Sequence, residues 1–163
     1  MNVLVMVPVD VDQARGLWQS VEPEDVQGFT ANARLREAFG IDDARHHKTQ
    51  GEDAEFACLV IASVWGLARH GRRLVLAAEL PEALLAEGEE AENGGVRVTR
   101  LPRRAVTSFF TDQGGDDLVE QARQACRGLG LDQAWETEQV QALVQGSGLL
   151  WHSVEELATL DRA

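Results

Sequence analysis

Apolar residues recur along this chain with two periods, and each period predicts one kind of element. The valine-rich run from Asn2 to Val9 predicts a β-strand that ends near Pro8. Asp10 follows, with Gln13 three residues later, which is the spacing of a capping box at the start of a helix. Apolar residues then recur at helical spacing up to Val21. We therefore expect a strand followed by a short amphipathic helix.

The segment from Glu52 to His70 predicts the longest helix of the chain. Acidic residues stand in its expected first turn and Arg69 and His70 in its last, an order that complements the helix dipole. Between these ends the segment is apolar nearly all round, which indicates a buried, central helix. The polar residues 42–51 before it are expected to form a loop. Small residues recur on one side of the helix, where another element can approach closely: Cys58, Ala62 and Gly66.

The remaining pattern predicts further strands and helices in a chain whose 163 residues suit one domain. Expected strands are Arg72–Leu80, Gly95–Leu101, Val106–Thr111 and Leu149–Val154, with a short strand or a helix cap at Gly28–Ala31. Expected helices are Ala31–Phe39, Asp116–Leu129 and Glu136–Val144. We predict one α/β domain over residues 1–163, with a mixed sheet of about four or five strands and helices packed against it. A ferredoxin-like α+β arrangement is the alternative.

The composition narrows the class of protein. The chain has 27 Asp plus Glu against 15 Lys plus Arg, a net charge of −12 that opposes binding to nucleic acid. Both cysteines, Cys58 and Cys126, stand in apolar helical patterns, which suits a reduced cytoplasmic interior. The N-terminal residues lack the basic start of a signal peptide, and no apolar run reaches the length of a membrane span. We expect a soluble cytoplasmic protein without nucleic-acid or membrane partners.

The stretch GLLWHSVEEL, residues 148–157, places a histidine beside a serine near the C-terminus. On a strand, Trp151 and Ser153 point to one face, whereas Leu150, His152 and Val154 point to the other. His152 and Ser153 therefore face apart and do not form a nucleophile–base pair. No G-x-S-x-G motif surrounds the serine. We expect a packed strand with a polar end.

Carboxylates offer a second candidate chemistry. Glu52, Asp53 and Glu55, joined by Glu79 and Asp112, would suit a divalent cation if the fold brought them together. Acidic residues in the first turn of a helix already have a structural reason, namely the helix dipole. The chain shows no zinc-ligand spacing, Walker A loop or G-x-G-x-x-G fingerprint. We expect neither a metal nor a cofactor.

Arginines offer a third candidate. One group of arginines flanks one predicted strand, and a second group lies on or just after the next: Arg69, Arg72 and Arg73, and then Arg97, Arg100, Arg103 and Arg104. If these two strands pair, the guanidinium groups form a basic patch suited to a phosphate or carboxylate ligand. The alternative is a solvated surface in which the arginines pair with the glutamates of residues 87–92.

Four stretches of the chain resemble an uncharacterised family of small proteins from high-GC bacteria, a domain of unknown function. They are MNVLVMVPV, GFTANARLREAFG, EFACLVIASVWGLARHGRRLVLAAELP and LLWHSVEEL. Thr30-Ala31 stands where the family is expected to have Thr-Pro, and His152 where it is expected to have Tyr. The family has no assigned activity, so the resemblance implies no catalytic residues.

Two classes of function remain open. The first is a binding or protein-interaction domain without catalytic activity, with an unknown partner or a second copy of itself. An exposed tryptophan among Trp18, Trp65, Trp135 and Trp151 would anchor such a contact, whereas the alternative is that all four lie in the core. The second class is a small enzyme or anionic-ligand binder that uses a pocket beside the sheet, with the candidate residues Glu52, Glu55, Glu79, Arg72, Arg73, Arg97, Arg100 and Trp151. A concave pocket with converging charges favours the second class, and a flat apolar patch favours the first.

Overall fold

The described residues form one seven-stranded sheet. A computed structural model describes residues 2–40, 48–112 and 117–160, with the side chains of residues 48–52 excepted. The strands are β1 Asn2–Pro8, β2 Glu24–Thr30, β3 Leu74–Pro81, β4 Leu85–Glu87, β5 Gly95–Arg100, β6 Val106–Thr111 and β7 Leu150–Ser153. They lie in the order β4-β5-β2-β1-β3-β6-β7, and each neighbouring pair is antiparallel.

The predicted mixed sheet of four or five strands is therefore wrong in strand number and in direction. β4 has only three residues, too few for a periodic signal. β2 begins with Glu24 and Asp25 and contains Gly28, residue types that are depleted in strands. The element order also differs from the β-α-β-β-α-β order of a ferredoxin-like fold.

Helices cover both faces of the sheet and create two cores. The helices are α1 Val11–Trp18, α2 Ala33–Ala38, α3 Lys48–His70, α4 Asp117–Cys126, α5 Leu131–Glu136 and α6 Glu138–Gly146. On one face, α3 to α6 bury Met6, Val75 and Ala77 of the central strands. On the other face, α1 and the 3₁₀ segment Val154–Thr159 bury Val5 and Val7. Successive strand residues thus enter opposite cores, as the pleat requires.

Helix α3 is longer than its apolar pattern predicts. It begins at Lys48, so residues 48–51 of the expected loop are helical, and residues 42–47 lie outside the described part. Asp53 and Glu55 consequently lie beyond the first turn, and their expected role as first-turn charges is wrong. The small-residue line is confirmed. A Cβ atom on Gly66 would lie 3.1 Å from Cβ of Pro8, so α3 crosses close to the end of β1.

The predictions based on short-range contacts are confirmed. The Asp10 carboxylate accepts a hydrogen bond from the Gln13 amide at 2.7 Å, and the Gln13 side chain accepts one from the Asp10 amide at 3.0 Å. α4 and α6 lie where helices are predicted, whereas α5, six residues long, is not predicted.

Within the ranges that the structure describes, no helix is long and apolar enough to cross a membrane.

Candidate ligand-binding groove

A groove opens beside the C-terminal end of α3, on the face of the sheet that this helix covers. α3 packs on β1, β2 and β3, whereas β5 and β4 lie beyond β2. The resulting cavity has a volume of about 510 Å³, within the range of small-molecule sites. We call it the α3 groove. Side chains that line it include Asp25, Gln27, Trp65, His70, Glu89 and Arg97.

Trp65 and His70 form the inner wall of the α3 groove. Trp65 is buried and makes an edge-on contact with Phe29 of β2, with ring centroids 6.4 Å apart. The His70 imidazole is partly buried and lies edge-on to the indole at 5.6 Å. Burial lowers the pKa of His70 below its ordinary value; the Asp10 carboxylate acts in the opposite direction, and the Arg69 guanidinium lowers the pKa further. His70 is therefore neutral at pH 7, with one ring nitrogen to donate and one to accept a hydrogen bond.

Two ion pairs border the α3 groove. The Arg69 guanidinium lies over the Trp65 ring, 4.9 Å from its centroid, and donates to Glu89 Oε1 at 2.7 Å. Arg97 of β5 donates to the Asp25 carboxylate of β2. The side chains of both pairs are 44–64% exposed, so each pair contributes at most about 1 kcal/mol. A ligand can exchange with such weak pairs at little cost.

Gln27 holds the outer wall in place. Its side chain donates to the Glu89 carbonyl at 2.7 Å and accepts from the Glu89 amide at 3.1 Å, and so ties the turn after β4 to β2. Gly94 ends this excursion with a φ of +87°, and a Cβ there would lie 2.4 Å from the Thr30 carbonyl oxygen. The wall that carries Glu89 is therefore held by backbone contacts, although its charged side chains are exposed.

The predicted arginine patch does not form. β3 and β5 are separated in the sheet by β1 and β2, so Arg72 and Arg73 do not lie beside Arg97 and Arg100. Arg73 is buried and pairs with Asp112, and Arg72 donates to the Thr111 hydroxyl at 3.4 Å. The expected pairing with glutamates of the 87–92 segment holds for one arginine, because Arg69 binds Glu89.

The candidate carboxylates are also dispersed. Glu55 lines a second cavity of about 230 Å³, beside Met6 and Cys58. Glu79 and Arg100, both predicted site residues, line a third cavity of about 520 Å³. The side chain of Glu52 lies outside the described part of the chain. The proposed cation cluster is therefore not assembled by the side chains that the structure describes.

Three other carboxylates, which sequence patterns do not single out, lie together. Ligand atoms of Glu90, Glu92 and Asp132 are within 4.8 Å of one another. Partial burial raises the pKa of Glu90 above its ordinary value, and the Asp132 carboxylate raises it further. The Asn93 side chain donates to both Glu90 and Asp132 and relieves part of this repulsion. Exposed carboxylates often cluster in this way, and no further feature of the described residues points to a bound cation there.

The C-terminal strand has the alternation that the sequence predicts. His152 stacks on Phe109 with centroids 5.0 Å apart, and its Nδ1 lies 3.3 Å from Glu156 Oε2. The Ser153 amide donates to the same carboxylate at 2.9 Å. Ser153 and His152 both contact Glu156, whereas a catalytic triad needs a hydrogen bond between the serine hydroxyl and the histidine ring. Residues 152–156 therefore form the end of a packed strand and the cap of the next turn.

The four tryptophans differ in exposure. Trp65 is buried and Trp18 and Trp135 are partly buried, but Trp151 is 61% exposed, so the alternative that all four lie in the core is wrong. Trp151 and its exposed neighbour Leu150 point to opposite faces of β7. The other large exposed apolar residues lie on separate elements: Val21, Phe39 and Phe56. The exposed apolar residues of the described surface therefore do not form one flat patch, whereas the α3 groove is a concave site.

Sequence patterns miss the wall residues Trp65, His70 and Gln27. Trp65 is read as a core residue and His70 as a helix-end charge. The available signal is the spacing W-x-x-x-R-H, which places Arg69 one turn after Trp65 on the same side of a helix. Gln27 carries no local signal, because its partners lie 62 residues away.

The comparisons with known proteins identify one family. The profile of a group described as "Family of unknown function (DUF6912)" matches residues 3–160. No curated protein and no solved structure matches the chain.

Proposed function

The chain belongs to this family of unknown function, and we propose that it is a ligand-binding domain whose site is the α3 groove. The ligand is a small zwitterion that carries one cationic and one anionic group. One observation carries the proposal: a cavity with an inner wall of Trp65 and His70 is bordered by two exposed arginine–carboxylate pairs.

Charges of both signs around the α3 groove support a zwitterion. Asp25, Glu87 and Glu89 line it together with Arg97, and Arg69 lies at its border. A ligand carboxylate replaces Asp25 on the Arg97 guanidinium, which suits bidentate contact. A ligand ammonium group binds Glu87 or Glu89.

The floor and inner wall supply contacts for the rest of the ligand. Pro8 and Trp65 are buried residues that line the cavity and present apolar surface. His70 offers a hydrogen bond from a neutral ring. Among the described residues that line the α3 groove, none is a serine, threonine or cysteine.

The test is a thermal-shift screen followed by calorimetry. The panel contains free α-amino acids and matched analogues that lack either the ammonium or the carboxylate group. A zwitterion at 100 times its Kd adds about 2.7 kcal/mol and raises the Tm by roughly 5–10 °C. We expect this shift for zwitterions and a much smaller one for the analogues.

Two variants assign the binding to the α3 groove. Arg97→Gln should weaken a zwitterion at least tenfold, about 1.4 kcal/mol. Arg127→Gln removes the same charge at an exposed site at the end of α4 and should leave the affinity unchanged. The proposal fails if no zwitterion binds, or if both variants weaken binding equally.

The open edge of β7 favours a second candidate function, self-association. The Ser153 amide donates to Glu156 and not to β6, so the N–H and C=O groups of Trp151, two residues earlier, also point away from β6. Residues 148–154 contain no Asp, Glu, Lys or Arg. Antiparallel pairing of two β7 strands about a two-fold axis would place the exposed Trp151 rings side by side.

Sedimentation equilibrium tests the dimer. We expect a dimer that strengthens with added salt, since salt screens the repulsion between two chains of net charge −12. Trp151→Ala should be monomeric, whereas Val21→Ser, at an exposed apolar residue outside β7, should not change the association. A wild-type chain that is monomeric at every concentration and salt level would contradict this function.

A further inference from the structure

The third cavity lies at the opposite end of the sheet strands from the α3 groove, and the two share no lining residue. It has a volume of about 520 Å³ and lies where β3 ends, β1 begins and β5 leaves the sheet. The residues that carry the argument are Asn2, Glu79, Leu84, Arg100 and Arg104. We call it the arginine cavity.

The two arginines of this cavity have no ionic partner in the part of the chain that the structure describes. Arg69, Arg73, Arg97 and Arg123 each bind a carboxylate there, on a protein with a large excess of acid. No carboxylate among the described residues lies within ion-pair distance of Arg100 or Arg104. Glu79 lines the same cavity without pairing with either. Among the residues that line the cavity, two guanidinium groups stand against one carboxylate.

The wall that carries Arg104 is fixed from outside the cavity. It is the 3₁₀ turn Arg103–Ala105, which follows Pro102 and is closed by the Ala105 amide on the Pro102 carbonyl at 3.0 Å. The neighbouring Arg103 is engaged elsewhere. Its guanidinium lies 4.2 Å from the Trp18 ring centroid, and its amide donates to Glu22 at 2.8 Å. The turn is therefore anchored by Arg103, which leaves Arg104 for the cavity.

The facing wall is held to the strand that carries Arg100. It is the 3₁₀ turn Glu82–Leu84, which follows Pro81. The Thr99 hydroxyl donates to the Leu84 carbonyl at 3.1 Å and ties this turn to β5. Arg104 thus lies on a turn that follows Pro102, and Arg100 lies on β5, and the backbone of each is held by hydrogen bonds. Such preorganisation lowers the entropic cost of binding.

We propose that the arginine cavity binds the oxyanion group of a small hydroxylated molecule. The guanidinium fork makes bidentate hydrogen bonds to phosphate and carboxylate oxygens, so Arg100 and Arg104 hold the anion. The cavity is larger than an isolated oxyanion, and it offers the Glu79 carboxylate as an acceptor and the Asn2 amide as a donor for hydroxyl groups. A sugar phosphate and a hydroxylated carboxylic acid share this chemistry.

Calorimetry at low salt tests the site with four probes: ribose 5-phosphate, ribose, inorganic phosphate and citrate. We expect an oxyanion probe to bind, and ribose not to bind. If ribose 5-phosphate binds more tightly than citrate, the ligand class is a phosphate ester; the reverse order assigns a hydroxylated carboxylate. Binding should weaken as salt is added, because the contact is ionic.

Paired variants locate the binding. Arg100→Gln/Arg104→Gln should weaken the bound probe by more than tenfold. Arg34→Gln/Arg127→Gln removes the same charge at two exposed residues, one in α2 and one directly after α4, and should have no effect. Glu79→Gln should reduce the preference for ribose 5-phosphate over inorganic phosphate. The proposal is overturned if none of the three oxyanions binds, or if both double variants lose affinity equally.

Discussion

Breaking the buried ion pair between Arg73 and Asp112 should cost several kcal/mol of stability. Their side chains are only 3% and 10% exposed. Arg73 donates from Nε to Asp112 Oδ1 at 2.9 Å, from Nη2 to the same oxygen, and from Nη2 to the Ser147 carbonyl at 3.2 Å. The pair therefore joins the start of β3 and the C-terminal cap of α6 to the end of β6.

The magnitude follows from the charge that remains. Arg73→Met leaves the Asp112 carboxylate buried without a cation, and removing one partner of a buried pair costs about 3–5 kcal/mol. The second oxygen of Asp112 increases this cost, because Oδ2 is buried without a hydrogen-bond partner among the described residues. Replacing both residues by apolar ones, Arg73→Met/Asp112→Leu, removes both charges and should cost far less than the sum of the single changes.

Urea unfolding followed by circular dichroism measures these effects as a double-mutant cycle. A matched control is the pair Arg97 and Asp25, also an arginine and an aspartate on the sheet, whose side chains are 44% and 64% exposed. Arg97→Met should cost less than about 1 kcal/mol. An Arg73→Met variant that loses no more stability than Arg97→Met would refute the conclusion that burial makes this pair important.

Three further predictions concern stability and pH. Burial lowers the folded-state pKa of His70, so its contribution to the free energy of unfolding is fully present above the ordinary pKa of 6.5 and is lost as the pH falls below it. In urea titrations at several pH values, His70→Gln should lose less stability than wild type over this range. The pKa of Glu90 is raised, so stability changes with pH in the opposite direction. The contribution of Glu90 to the free energy of unfolding is present below the ordinary pKa of 4.5 and is lost as the pH rises through the raised pKa. Glu90→Gln should therefore be more stable than wild type at pH 7. Gly94→Ala should cost more than about 1 kcal/mol in the same assay, because φ is +87° and the added Cβ meets the Thr30 carbonyl; a neutral result would show that the turn relaxes.

Local sequence patterns predict much of the secondary structure. The Asp10–Gln13 capping box and the opposite faces of Trp151 and His152 depend on residues within one turn or on the pleat of one strand. Such features need no knowledge of distant partners. The same local reasoning fails for β4, which is too short for a period, and for the start of α3, where polar residues continue the helix.

The candidate sites depend on contacts between distant segments. Glu79 and Arg100 are both predicted site residues, but their meeting in the arginine cavity depends on the paths of the turns that follow β3 and β5. The order of the strands separates Arg73 from Arg97 and buries Arg73 against Asp112, 39 residues away. A sequence pattern shows that an arginine is present, but it does not show whether the arginine meets a carboxylate, a cavity or water.

The amino-acid sequence by itself determined the alternation of strands and helices, the acidic surface charge and the two-faced character of each strand. Only the tertiary structure decided the antiparallel seven-strand order of the described residues, the burial of Arg73 and the formation of the α3 groove and the arginine cavity. The physical reason is the range of the interactions. Periodicity reflects contacts between near neighbours in the chain, whereas strand order is selected by the burial of two cores whose members come from the whole chain.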